Sequence, residues 1–287
     1  MDSLDQRQVT ARIGMVNFIN TAPLYEKWRQ LVTRPDWRIT EAPPTTLNRM
    51  LYNNELDLGF VSSHEYAAHP HLYRILPGLS ISATGPVGSV FLFSKKDPET
   101  LSGKTVLLSS LSQTSVALVK IILEEYFQVV PDYLSGTITF DGKLPECTEG
   151  KDIQAVLAIG DNALRLRESD LYPVKMDLSE VWQEKTGLPF VFAVWAVREE
   201  FCRKDPESIS QIQHQLLQCI EEGKKDLQSI CQIAAPRIPM KEKDCFDYLC
   251  GMEYDLDANK LKALEVFFDY LIKRGEVSAE ALPVKFV

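Results

Sequence analysis

The stretch Arg12-Ile-Gly-Met-Val-Asn-Phe-Ile-Asn-Thr-Ala-Pro-Leu-Tyr25 decides the fold. Arg12 to Val16 is short and apolar with β-branched members, a composition that fits a buried strand. Asn17, Asn20 and Thr21 then bring turn and cap chemistry. Pro23 suits the first turn of a helix, where its missing N–H is not needed. This order of strand, polar loop and helix is the α/β pattern. In open α/β sheets, ligands bind beyond the carboxyl ends of strands, where loop side chains and helix N–H groups are unpaired. Asn20 falls at such a place, although taken alone it reads as a turn or cap residue.

Outward from this stretch the pattern recurs. Pro23 to Leu31 reads as a helix with Leu24, Trp28 and Leu31 on one face, and Trp37 to Thr40 as a strand. Pro44 to Leu51 reads as a helix, and the strand Asp57 to Val61 runs into Ser62-Ser63-His64-Glu65-Tyr66, again strand, hydroxyls, helix. The turn Gly85-Pro86-Val87-Gly88-Ser89 feeds an apolar strand from Val90 to Ser94. A second α/β set opens with Thr105 to Leu108, the serine-rich loop Ser109 to Ser115, and a helix to Phe127. Thr137 to Phe140 and Ala155 to Ile159 read as strands, the latter closed by Gly160-Asp161-Asn162. Asp177 to Lys185 reads as a capped helix and Phe190 to Val197 as a long apolar strand. From Pro206 the chain is mainly helical, with breaks near Pro236 to Pro239 and at Gly251. If the strands around Val90 to Phe93 and Phe190 to Ala196 cross between the two sets, two lobes result. They comprise residues 1–93 with 196–287, and residues 94–195, with a cleft between.

The 287 residues leave room for about two domains at roughly 150 residues each. With 45% hydrophobic and 25% charged residues the composition is that of a globular protein. A formal net charge of −9 disfavours nucleic acid or an anionic membrane surface as partner. No run approaches the roughly 20 apolar residues a membrane helix needs, so no membrane insertion is expected. Met1 to Thr10 lacks the apolar core of a signal peptide, which points to the cytoplasm. Cys147, Cys202, Cys219, Cys231, Cys245 and Cys250 form no C-x-x-C pair and read as free thiols. His64, His69 and His71, interrupted by Pro70, match no metal spacing and read as solvated, as does His214. No phosphate loop, dinucleotide fingerprint or G-x-S-x-G elbow occurs.

Three loops share a chemistry: Asn17 to Thr21, Ser62 to Ser63 with Ser89, and Ser112 to Ser115 including Gln113 and Thr114. Each joins hydroxyl or amide side chains to a helix start or tight turn without Lys or Arg. A cleft built this way would hold carboxylates by N–H groups, hydroxyls and helix dipoles. Each loop by itself reads rather as helix capping, and only three on the same side of the sheets bring the two readings level. Glu65 and Asp161 are the carboxylates nearest the cleft, either as general base or as cap.

The combination of Gly14-x-Val16-x-Phe18-Ile19-Asn20-x-x-Pro23-Leu24, Ser62-Ser63-x-Glu65-Tyr66 and Gly85-Pro86-Val87-x-Ser89-Val90 resembles the chorismate dehydratase family of the futalosine route to menaquinone. Thr114-Ser115-Val116-Ala117-Leu118, Ile159-Gly160-Asp161-x-Ala163-Leu164 and Thr186-Gly187-Leu188-Pro189-Phe190-Val191-Phe192-Ala193-x-Trp195 continue the resemblance in order. It spans Arg12 to Arg198, and the helical tail beyond carries no usable signature. The resemblance implies an α/β fold of the periplasmic-binding-protein type II kind, two lobes joined by two crossing strands, with a helical C-terminal segment. It implies a cytoplasmic lyase that removes water from chorismate without metal or organic cofactor. It also implies that Asn20 and Ser89 orient the reacting face and that Thr114 and Ser115 hold a carboxylate. Asn17, Thr21, Ser62, Ser63, Gln113 and Asp161 complete the expected substrate cleft. The substrate's own enolpyruvyl carboxylate is the expected base, with Glu65 as the alternative. Competing readings are a small-anion solute-binding protein or a ligand-sensing module of the same fold.

Overall fold

The computed structural model describes residues 9–139 and 141–287, so the reading of Met1 to Thr10 falls mostly outside the described residues. One sheet contains β1 (Ala11–Met15), β2 (Trp37–Glu41), β3 (Leu58–Ser62), β4 (Tyr73–Ala83) and β10 (Phe190–Arg198), in the order β2-β1-β3-β10-β4. The other contains β5 (Val90–Ser94), β6 (Thr105–Leu108), β7 (Asp132–Ser135), β8 (Ile153–Ile159) and β9 (Val174–Asp177), in the order β7-β6-β8-β5-β9. In each sheet the first three strands are parallel and the fourth runs antiparallel to both its neighbours. That antiparallel strand is the one that arrives from the other sheet, so the two lobes share a topology without a sequence repeat.

The passages between sheets differ in place from the expected crossing strands. β5 is paired on both sides within the second sheet and β10 on both sides within the first. The chain therefore changes sheets between Ala83 and Val90, and again between Asp177 and Phe190, where α6 (Leu178–Thr186) intervenes. Phe190 pairs with Ala83 and Val191 with Ser82, so the two passages run side by side.

β5 shows why these strands read as unbroken apolar runs. Val90 and Leu92 face the main core, while Phe91 and Phe93 face a smaller cluster with Leu107, Val156 and Tyr172. The helices α1 (Ala22–Leu31), α2 (Pro44–Tyr52), α3 (Ser63–Ala68), α4 (Gln113–Ile121) and α5 (Gly160–Leu166) start close to the carboxyl ends of strands or in the loops just beyond them. The α4 helix continues as a π-helical turn from Ile122 to Tyr126. The strand expected at Thr137 to Phe140 instead forms at Asp132–Ser135, in register with β6. Thr139 closes a turn with Lys143, and Phe140 lies outside the described residues. Gly160-Asp161-Asn162 does not merely close β8 but opens α5.

The tail comprises α7 (Glu199–Lys204), α8 (Pro206–Lys225), α9 (Leu227–Ala234), α10 (Glu242–Cys250) and α11 (Ala258–Lys273). The segment after α10 covers the edge of β4: Ser80 N donates to the Tyr254 carbonyl at 2.8 Å and Ser82 N to the Glu253 carbonyl at 3.0 Å. Lys260 Nζ clamps this segment through Glu253 and Asp255, each at 2.8 Å. All six cysteines are free, with Cys219, Cys231 and Cys245 buried. Among the described residues no helix is long and apolar enough to cross a membrane.

Candidate active site

The carboxyl ends of β1, β3 and β8 and the start of α4 converge on a cleft of about 620 Å³, its open mouth included. Its apolar walls include Val16, Phe18, Phe60, Ile81, Ile159 and Phe192. Its polar lining is Asn20, Thr21, Ser62, Ser89, Ser112 and Ser115, with no lysine or arginine among the described lining residues. Ligand contact at strand ends is the placement expected of an α/β switch point.

The loop after β1 is closed by Thr21, whose hydroxyl lies 2.6 Å from the Val16 carbonyl and 2.9 Å from the Phe18 carbonyl. Thr21 thus lines the cleft with its proton already taken, and it makes no cap bond to α1. Asn20 is not a cap either. Its carbonyl accepts from Tyr254 Oη at 2.8 Å, while its side-chain Oδ1 is buried without a partner among the described residues. An unpaired buried amide oxygen is costly unless a ligand supplies the missing donor.

Ser89 sits at the end of the second loop. Its Oγ accepts from Tyr248 Oη at 2.9 Å and its carbonyl from Gly160 N at 2.7 Å. Gly160 takes φ +55°, and a side chain there would meet the Phe18 ring at 3.2 Å, so glycine keeps this wall open. Asp177, pushed up by burial, caps α6 through Ser179 N at 2.9 Å and also accepts from Gly88 N at 2.7 Å. At the start of α4, Ser112 Oγ accepts from Ser115 N and donates to Ser115 Oγ, both at 3.1 Å. No acceptor among the described residues takes the Ser115 proton.

Several expected residues lie elsewhere. Ser63 Oγ is 2.9 Å from the Val191 carbonyl and 3.3 Å from Thr114 Oγ1, which accepts from His64 N at 3.0 Å. Gln113 Oε1 accepts from Asn48 Nδ2 at 3.0 Å. Ser63, Thr114 and Gln113 therefore latch α2 and α3 to α4 and do not line the cleft. Ser62 lines it, but its Oγ already accepts from Glu65 N at 3.2 Å and Asn48 Nδ2 at 3.0 Å. Asn17 donates to Glu41 at 2.6 Å, and its carbonyl accepts from Arg237 at 3.1 Å. Asp161 accepts from Ile19 N at 3.2 Å, a bond across the lobes, and burial raises its carboxyl above the usual range.

Glu65 also lies away from the cleft. It accepts from Tyr73 Oη at 3.1 Å, with His69 Nε2 at 3.7 Å, because α3 turns it toward β4. Only 4% exposed, it is pushed up to about 7 by burial, which outweighs the Tyr73 bond. The expectation of solvated histidines also fails for His64. Its Nδ1 is buried without a partner, its Nε2 is 3.9 Å from Glu276, and burial lowers its pKa. Tyr248 and Tyr254, the tail residues that hold Ser89 and Asn20, carry no sequence signal beyond the helix break at Gly251 between them.

The profile of the menaquinone biosynthesis family matches residues 11–273. The chorismate dehydratase of Thermus thermophilus is 31% identical over 279 residues, covering 90% of this chain and 94% of that one. The chorismate dehydratase of Campylobacter jejuni is 30% identical over 220 residues, covering 71% and 78%. The periplasmic aliphatic sulphonate binding protein of Escherichia coli superposes with a TM-score of 0.62 at 13% identity, covering 94% of this chain and 89% of that one. At that identity the likeness shows the fold alone, a two-lobed α/β fold of the periplasmic-binding-protein kind. The sequence matches show more: the chain belongs to the menaquinone biosynthesis family, and within it to the chorismate dehydratases.

Proposed function

We propose that this protein dehydrates chorismate to 3-[(1-carboxyvinyl)oxy]benzoate, a lyase step of the futalosine route, in the cytoplasm. The observation that carries the reading is that Asn20, Ser89 and Ser115 line one uncharged cleft, in a chain with 31% identity to a chorismate dehydratase. In the reaction a ring C–H bond breaks at the carbon bearing the enolpyruvyl ether. Its electron pair moves into the ring, toward the ring carboxylate through the adjacent double bond. The ring hydroxyl then leaves with a proton as water, and the ring becomes aromatic. Donors aimed at the ring carboxylate stabilise the charge that builds on it. Ser89, Ser115 and the first N–H groups of α4 suit that task, and Asn20 orients the reacting face.

On this reading the base comes from the substrate. What supports it is that Glu65 accepts from Tyr73 away from the cleft and Asp161 accepts from Ile19 N. The substrate's own enolpyruvyl carboxylate takes the proton, with Glu65 as the alternative. Six free thiols accord with a reducing compartment. Incubating the purified protein with chorismate should give an aromatic absorbance and a product lighter by one water. Binding of chorismate without conversion would instead leave a solute-binding or sensing role.

A further inference from the structure

We propose that Tyr248, in the helical tail, is a positioning residue that fixes Ser89 as a hydrogen-bond donor to the substrate; this rests on the chorismate reading above. The Tyr248 hydroxyl is enclosed and has one partner among the described residues, Ser89 Oγ at 2.9 Å. Burial pushes the phenol well above its ordinary range, so it keeps its proton and donates it. A serine oxygen that accepts from a phenol has its own proton left to place, and the polarised hydroxyl is the stronger donor. The backbone around Ser89 leaves that proton little choice. The Ser89 carbonyl accepts from Gly160 N at 2.7 Å, Gly88 N donates to Asp177 at 2.7 Å, and the Gly88 carbonyl accepts from Arg167 at 3.3 Å. The Tyr248 ring lies against the same turn: a side chain on Gly88 would stand 3.6 Å from its Cδ2.

Ser115 shows the same device independently. Ser112 donates to its Oγ at 3.1 Å, which leaves the Ser115 proton for the cleft. Thr21 and Ser63, by contrast, direct their protons to main-chain carbonyls. Among the cleft hydroxyls, Ser89 and Ser115 each receive an O–H donor from behind and have no acceptor of their own among the described residues, while Ser62 receives only N–H donors. Such a pair suits an anionic ligand, and Tyr248 is the half of the device that comes from outside the three cleft loops.

The test uses the full chain with Tyr248→Phe, Ser89→Ala and the double variant. Tyr248→Phe should lower kcat about tenfold or more with a much smaller change in KM, and should have no further effect once Ser89 is alanine. A folded Tyr248→Phe enzyme with wild-type kcat, or an equal loss in the Ser89→Ala background, would overturn the proposal. Should Tyr248→Phe not fold, 3-fluorotyrosine placed at position 248 keeps the ring and strengthens the donor. It should raise kcat, and an unchanged kcat would count against the proposal. Wild-type protein that fails to convert chorismate sinks the functional reading itself, a result separate from either variant.

Discussion

The starts of α3 and α4 are nearly interchangeable as sequence, Ser62-Ser63-His64-Glu65 against Ser112-Gln113-Thr114-Ser115, yet they do different work. At α3 the two hydroxyls divide: Ser62 lines the cleft and accepts from Glu65 N and Asn48, whereas Ser63 turns inward against Val191 and Thr114. At α4 the cap also closes on itself, but it closes by donating into Ser115 and so leaves a proton over. Each start gives one part to the latch, Ser63 at α3 and Gln113 with Thr114 at α4, and one part to the cleft wall, Ser62 and Ser115. What separates Ser63 from Ser115 is where the hydroxyl proton goes, to the Val191 carbonyl in one and to no acceptor among the described residues in the other, which composition does not encode.

The largest expected effect lies with Asn20, whose amide oxygen has no partner among the described residues. Asn20→Ala should lower turnover of chorismate about 10²- to 10³-fold, the range for losing one preorganised polar group at a reacting centre. Stability should hold, because the Asn20 amide oxygen is already unpaired and Tyr254 bonds the main-chain carbonyl, which alanine keeps. A large fall in melting temperature would show that Asn20 belongs with the latch. Ser89→Ala is the less clean probe, since it strands the buried Tyr248 hydroxyl.

Glu65 tests the latch side. Its carboxyl is raised from 4.5 to about 7 by burial, so the unfolded chain ionises first as pH rises. Below pH 4.5 both states are protonated and Glu65 costs nothing. Between 4.5 and about 7 the folded state holds a proton the unfolded state has lost, so stability falls through that window and is flat above it. Glu65→Gln keeps an acceptor for Tyr73 and removes the slope. Relative to wild type, the variant should gain on the order of 2 to 3 kcal/mol between pH 4.5 and pH 8, read from denaturant unfolding at each pH. A constant difference would mean that Glu65 is not the group that titrates. Protonated His69, 3.7 Å away, would reduce the gain at the acid end.

The fold was legible because it is written in local signals. Apolar β-branched runs mark β1, β3, β5, β8 and β10, and Ser112, Asp177 and Asp257 each cap the helix that follows. The passages between lobes were placed a few residues off because β5 and β10 are buried on both faces whether or not they cross. That Asn20, Ser89 and Ser115 share the cleft wall is legible from their type and their place beyond strand ends; their roles are not. Glu65 and Thr114 were misplaced because helix phase, not sequence distance, decides which wall a side chain faces. Tyr248 was invisible: it lies 159 residues from its partner Ser89, on a helix whose pattern records only burial.

The smallest effects sharpen the contrast between the two helix starts. Ser63→Ala removes a hydroxyl from a buried network and leaves Thr114 and the Val191 carbonyl short of a partner, which should cost about 1 to 2 kcal/mol of stability. Ser115→Ala removes a group that keeps its proton for the cleft, so its cost should appear in KM for chorismate, about tenfold, with the melting temperature nearly unchanged. Measured side by side, the two variants should trade places: one loses melting temperature and keeps KM, the other loses KM and keeps melting temperature. If both lose only stability, the α4 start is a second latch and the anion must be held by Ser89 and Asn20 alone. If both lose only affinity, closure of the lobes is itself set by the ligand, because the latch bonds then contribute only when chorismate is bound.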